Sequence, residues 1–218
     1  MKLGFHGHAC FELREEGWPT VIVDPYRPDG LNGRFNLPPI EADPQVIAIT
    51  HFHEDHAWIP AQWKHVPVVD ATSTFQDISF TTQMAYHDKH LGTRMGLTVS
   101  MSIEYAGLTV VHLGDMGACP SGETLENLRG ADVLLLPVGD TYTMGPEEAA
   151  KTALALDAGW IVPMHGAHPN IDLPLKPASD FISVWPGKTK FPDSPIQWAD
   201  LTERPPEPTV LFLSAPGS

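Results

Sequence analysis

Thr50-His51-Phe52-His53-Glu54-Asp55-His56 follows directly on an apolar run that opens at Val46. Residues 46–50 form a continuous apolar stretch of strand length, the kind a sheet buries on both faces. The histidines therefore project from the carboxyl end of a buried strand, where ligand sites collect in α/β sheets. Side chains two apart at a strand end point the same way, so His51 and His53 can share one metal ion. Asp55 and His56 come a short turn later and can reach a second. Imidazole and carboxylate at this spacing suit Zn²⁺ or another divalent transition ion. The chain has 11 histidines in 218 residues, and at that composition chance would place His-x-His-x-Asp-His about 0.002 times in such a length.

Outward from the motif, residues 3–8 and 10–14 alternate as short strands, and 20–24 is β-branched and closed by Asp24-Pro25. Residues 26–45, rich in Pro, Gly, Asn and Asp, read as a long loop. A short helix is expected at 57–63 and a strand at 66–69. Segments 97–104 and 108–113 flank Ala106-Gly107 as a hairpin that runs into Gly114-Asp115. A helical turn or two is expected at 122–128 and a buried strand at 133–138. Gly145-Pro146-Glu147-Glu148 opens a helix, with proline and acids in its first turn, that reaches about 157. A strand at 160–164 then leads to His165. Strands at the front with strand–helix alternation behind predict one mixed α/β (α+β) sandwich domain over 1–218, with 170–218 a Pro-rich, irregular tail.

Composition narrows the function. Thirteen Lys plus Arg stand against 27 Asp plus Glu, a net charge of −14, which argues against a nucleic-acid footprint, and no basic arm interleaved with aromatics is present. No stretch reaches the ~20 apolar residues of a membrane helix, so no membrane partner is expected. The amino terminus lacks a secretory h-region, and two cysteines make no disulfide framework. A cytoplasmic protein is expected, and the sequence sets no oligomeric state.

The chain resembles the metallo-β-lactamase-fold superfamily of metal-dependent hydrolases, most narrowly the single-domain group related to L-ascorbate-6-phosphate lactonase. The residues that carry this are Gly7-His8-Ala9-Cys10-Phe11, Val23-Asp24-Pro25, the His51–His56 motif, Ala85-Tyr86-His87 and His112-Leu113-Gly114-Asp115. Leu136-Pro137-Val138-Gly139-Asp140, Thr143-Met144-Gly145-Pro146-Glu147-Glu148-Ala149 and Val162-Pro163-Met164-His165 follow in family order. The resemblance implies a four-layer αββα sandwich. It also implies that His51, His53 and His87 bind one metal, that Asp55, His56 and His165 bind another, and that Asp115 bridges the two. On spacing alone His90 competes with His87 as the third ligand of the first ion. His8 is a candidate to touch the site or the substrate. Asp24 and Asp140 are candidates to buttress ligating histidines, and His112 is either a site residue or a satisfied core histidine.

Two divalent ions, Zn²⁺ first with Mn²⁺, Fe²⁺ or Ni²⁺ fitting the same donors, can hold a bridging water and lower its pKa from 15.7 towards neutrality. The resulting hydroxide would attack a lactone, ester or phosphoester of a small anionic molecule, with Asp55 as the catalytic carboxylate that orients it. No Gly-x-Ser-x-Gly elbow and no P-loop competes with this reading. Two rivals use the same residues: an iron-dependent oxidoreductase of the thiol dioxygenase type, and a metal-binding domain without turnover.

Overall fold

In chain order the strands are β1 (Lys2–Gly7), β2 (Cys10–Arg14), β3 (Val21–Val23), β4 (Val46–Ala48), β5 (Val68–Val69), β6 (Ser73–Phe75) and β7 (Ile78–Tyr86), then β8 (Leu97–Tyr105), β9 (Leu108–His112), β10 (Val133–Pro137), β11 (Trp160–Met164), β12 (Lys188–Lys190), β13 (Trp198–Asp200) and β14 (Thr209–Leu211). They come from a computed structural model that describes residues 1–191 and 196–217. One sheet has the order β13-β1-β2-β3-β4-β5 and the other β12-β14-β11-β10-β9-β8-β7-β6.

The sheets pack face to face. Phe11, Val23 and Val46 from the first meet Met101, Ile103, Val133 and Leu135 from the second in one cluster. Each such side chain taken from water contributes about 1.5–3 kcal/mol. On β10 every residue is buried. Leu135 faces the other sheet, whereas Leu134 and Leu136 face the helices. This is why the run 133–137 shows no polar alternation.

The helices Gly122–Leu128, Pro146–Ala155 and Ala178–Val184 cover the outer face of the second sheet through Leu128, Ala149, Ala153 and Phe181. Pro146 at the first position and Glu147 and Glu148 in the first turn open the second of these as expected. Over the first sheet the outer layer is mostly non-helical chain: Tyr26, Phe35, Leu37, Ile40 and Ile171 cover Ile22 and Ile47. The short helix expected at 57–63 is reduced to the 3₁₀ turn Ala61–Trp63; it begins only after Pro60, which cannot donate within a helix.

The tail is irregular over most of its length but not all. Among the described residues beyond 170 are one helix and three strands. Gly4 pairs with Trp198 across β1 and β13, and β14 lies parallel between β11 and β12. Each strand is three residues long, too short for alternation to show in a Pro-rich stretch. Strands β6 and β7 also fall outside the expectation. β6 is the sheet's edge and β7 lies next to it, and their exposed Ser, Thr, Met and Tyr give no sustained apolar period. At Ala106-Gly107 both residues have positive φ, 50° and 81°, the backbone of a two-residue hairpin turn.

Pairing directions place the chemistry. β1 and β3 are both antiparallel to β2, and β3 is parallel to β4. β7 and β9 are both antiparallel to β8, and β9, β10 and β11 are parallel. Seven strands thus end at one rim, followed respectively by His8, Asp24, the His51–His56 motif, His87, the Gly114-Asp115 turn, Asp140 and His165.

Candidate metal centre

Four imidazole nitrogens surround one carboxylate oxygen. From Asp115 Oδ2, His165 Nε2 lies at 3.0 Å, His56 Nε2 and His87 Nε2 each at 3.3 Å, and His51 Nε2 at 3.9 Å. Two groups that share no residue could each hold an ion: His51, His53 and His87, and His8, Asp55, His56 and His165; a third, Asp24 with His51 and His56, overlaps both. Asp115 stands between the first two. His87 belongs to the cluster, its Nε2 3.2 Å from His53 Nδ1, whereas His90 is exposed and outside both groups.

Local backbone explains the convergence. His8, Asp24, Asp140 and His165 leave their strands with φ of 57°, 48°, 70° and 54°. Asp and His are among the few non-glycine residues that enter this left-handed region at modest cost. The His165 N–H then donates to the His8 carbonyl at 2.7 Å, tying the two sheets together at the rim. Gly114, with φ 55°, turns the chain from β9 to Asp115. A Cβ there would stand 2.5 Å from Thr98 Oγ1, so a side chain would displace the ligand turn.

Hydrogen bonds fix which ring nitrogen faces the centre. Asp24, fully buried, accepts from the Thr50 N–H at 2.8 Å and from the Thr50 hydroxyl at 2.6 Å, and its Oδ2 is 2.9 Å from His56 Nδ1. A proton on Nδ1 bonded to this carboxylate turns His56 Nε2 towards Asp115. His51 Nδ1 is 3.1 Å from Thr50 Oγ1 and 3.4 Å from Thr98 Oγ1, and His87 Nδ1 is 3.3 Å from the Tyr142 carbonyl. Each contact again turns Nε2 inward.

Burial and neighbours set the charges. Burial alone would raise Asp115, but the imidazoles of His165 and His56 hold its carboxyl well below the ordinary range. Asp55 is likewise held far down despite burial, by His56 and by a His8 Nε2 contact of 3.1 Å. His51 is pushed down to about 3 by burial and by His56. His8 is pushed down to about 4 by burial and by His165. Burial would also lower His56, but Asp115 and Asp55 raise it well above its usual value.

A cation fits this arrangement. His51 Nε2, His56 Nε2, His165 Nδ1, His8 Nδ1 and Asp115 Oδ1 are buried with no hydrogen-bond partner among the described residues. Each such atom costs about 1–3 kcal/mol if left so. Imidazole nitrogens and carboxylate oxygens converging in this way are the donor set of a divalent transition ion.

Two candidates stand apart from the cluster. Asp140 touches no histidine; it pairs with Lys176 at 2.8 Å and with Lys89, because its turn swings it past the ligands towards the helix Pro146–Ala155. His112 is a satisfied core residue, its Nε2 2.9 Å from the Ala9 carbonyl and its Nδ1 accepting the Gly114 N–H at 3.0 Å. It packs the first hairpin against the turn that carries Asp115.

Other residues at the site carried no motif. Thr50, Thr98 and Tyr142 orient ligand rings. Asp88 accepts four backbone N–H groups, from His90, Gly92, Arg94 and Met95, and so shapes the loop that brings Met95 to the site. The centre opens into a cleft of about 390 Å³ walled by Leu31, Arg34, Met95, Tyr142 and Leu173.

Residues 2–165 match the model of the beta-lactamase superfamily domain. A UPF0173 metal-dependent hydrolase of Methanoculleus marisnigri is 34% identical over 190 residues, covering 76% of this chain and 80% of its own. Another from Geobacillus thermodenitrificans is 27% identical over 200 residues, covering 76% and 85%. A solved structure from Thermotoga maritima, assigned to the metallo-β-lactamase superfamily, aligns with TM-score 0.74 at 27% identity over 98% of this chain and 99% of that one. The chain thus belongs to the metallo-β-lactamase superfamily and, within it, to the UPF0173 metal-dependent hydrolases.

Proposed function

We propose that the site holds two divalent ions, Zn²⁺ first among them, and hydrolyses a lactone, ester or phosphoester of a small anionic molecule. The observation that carries this reading is the position of Asp115 Oδ2, within 3.9 Å of imidazole nitrogens from both donor groups. His51, His53 and His87 would hold one ion, Asp55, His56 and His165 the other, and Asp115 both. Bound ions of this kind lower the pKa of a coordinated water and polarise the oxygen that gains charge.

The chain's own groups do the rest. Asp55 lines the cleft as an ionised carboxylate, so it accepts a hydrogen bond from the attacking water and orients it. His8, donating through Nε2, fixes that carboxylate's rotamer. Asp24 and Thr50 hold His56 and His51 with their Nε2 atoms inward. The apolar walls Leu31, Met95 and Leu173 limit water around the reacting bond.

The test is metal content per chain by elemental mass spectrometry, before and after reconstitution with Zn²⁺ and Mn²⁺, followed by a lactone, ester and phosphoester panel. Two ions per chain with hydrolysis that chelation abolishes and metal restores supports the proposal. One ion per chain refutes the dinuclear part. Iron with oxygen consumption and no hydrolysis replaces it with oxidative chemistry on the same donors.

A further inference from the structure

Beyond the histidines and aspartates, the cleft has one cationic wall residue, Arg34. Its Nε donates to the Asp172 carbonyl at 2.9 Å and lies 3.6 Å from the Asp172 carboxylate, which is 87% exposed. Its terminal nitrogens Nη1 and Nη2 make no hydrogen bond or ion pair among the described residues. A guanidinium anchored through Nε presents those two donors as a planar fork, the geometry that takes a carboxylate or phosphate bidentately.

The backbone beneath Arg34 is fixed from two sides. The Asp172 N–H donates to the Arg34 carbonyl and the Asn36 N–H to the Asn170 carbonyl, each at 2.7 Å, and Phe35 bridges Ile171. On the other side Glu54, inside the histidine motif, accepts from Arg27 Nη1 at 2.9 Å and from the Leu31 N–H at 3.2 Å. Between these anchors Leu31 and Asn32 take φ of 51° and 59°. Left-handed backbone is an outlier for a bulky leucine, and such strain persists where the surroundings over-determine it. Here it places Leu31, Asn32 and Arg34 along one wall of the cleft.

Resting on the hydrolase reading above, we propose that Arg34 is the specificity-determining residue for an oxyanion on the substrate. The molecule it takes has an apolar body and one carboxylate or phosphate group outside the scissile bond. That group docks on Nη1 and Nη2. The body lies against Leu31, Met95, Tyr142 and Leu173, and the scissile bond faces Asp115. The Asp172 carboxylate, 3.6 Å from Nε, sets a negative charge beside the same guanidinium and weakens its pull on an oxyanion.

Calorimetric binding of phenylphosphonate (a phosphate-like oxyanion with no ester bond), phenylacetate and neutral benzyl alcohol to the metal-reconstituted protein tests this. Wild type is compared with Arg34→Gln, with metal content measured on each sample. The expected result is at least a tenfold loss of affinity for both oxyanions in Arg34→Gln, with benzyl alcohol and metal content unmoved. A loss confined to phenylphosphonate supports the subsite and narrows its ligand to a phosphate-type group; one confined to phenylacetate narrows it to a carboxylate. Unchanged oxyanion affinity at full metal content overturns the proposal, since the ions alone would then account for binding. If Arg34→Gln fails to fold, Asp172→Asn reads the same contact with opposite sign: tighter oxyanion binding is expected, and unchanged or weaker binding overturns it. Because these readouts need no turnover, failure of the hydrolase reading would show separately, as a wild type with full metal that cleaves no ester.

Discussion

Asp24 faces no cleft, yet its carboxylate meets Thr50 and His56 together. Partners behind metal-binding histidines typically contribute 10–100-fold to metal affinity. Asp24→Ala should therefore weaken binding by about 10–100-fold, read by competition with a chelator of known affinity; unchanged affinity would remove Asp24 from the site. A second expectation concerns protons. Without an ion, Asp115 and Asp55 keep His56 protonated above its usual range, and a ligand must be neutral. Metal uptake near pH 7 should release protons and strengthen as pH rises. Titration in a weakly buffered solution measures it, and uptake without proton release would contradict the geometry around His56. At this scale the sequence was most legible where spacing carries chemistry, as in His51–His56. It was least legible where a side chain acts through a bond nothing local announces. His87 and His90 are equal on spacing, and only the turn after β7 separates them. Asp140 follows a buried strand as Asp24 does, yet two lysines claim it.

Strands and loops carry different loads. Leu135, fully buried between the sheets on β10, predicts a cost of about 2–5 kcal/mol for Leu135→Ala, checked by urea unfolding. Glu54 predicts the opposite pattern. It holds the loop that carries Leu31 through two part-exposed contacts worth about 1 kcal/mol, so Glu54→Gln should raise KM about fivefold while metal content stays that of wild type. Equal losses of metal and KM would place Glu54 with the ligands instead. The long buried strands, the Ala106-Gly107 hairpin and the helix at Pro146 could be read directly, because apolar runs, turn residues and caps are local signals. The 3₁₀ turn at Ala61–Trp63, the strands β6 and β7 and the Asp88-centred loop could not, because their bonds, though local, join residues in stretches with no sustained apolar period.

Across the molecule, the residues beyond 170 matter more than their composition suggested, since they pair into both sheets. A chain ending after Val184 lacks β12, β13 and β14 and should lose cooperative thermal unfolding, measured by circular dichroism; a retained sharp transition would show that both sheets close without them. The two-sheet frame followed from strand–helix order and the motif, whereas the loop layer over the first sheet has no period to read. A net charge of −14 gives the surface as a whole a field unfavourable to polyanions, while Arg34 and the two proposed cations would reverse that field inside the cleft. No helix among the described residues is long and apolar enough to cross a membrane.

The pairing of Gly4 with Trp198 also sets a timetable for synthesis. At typical ribosomal rates β13 emerges roughly 10–40 s after β1, and until then the first sheet keeps a bare edge of unpaired N–H and C=O groups. His8 emerges early and His165 late, so the rim cannot close on the nascent chain before most of it has been made. Assembly of the proposed metal site would thus be a late step, and a ribosome stalled before His165 would hold a chain that lacks one of its proposed ligands.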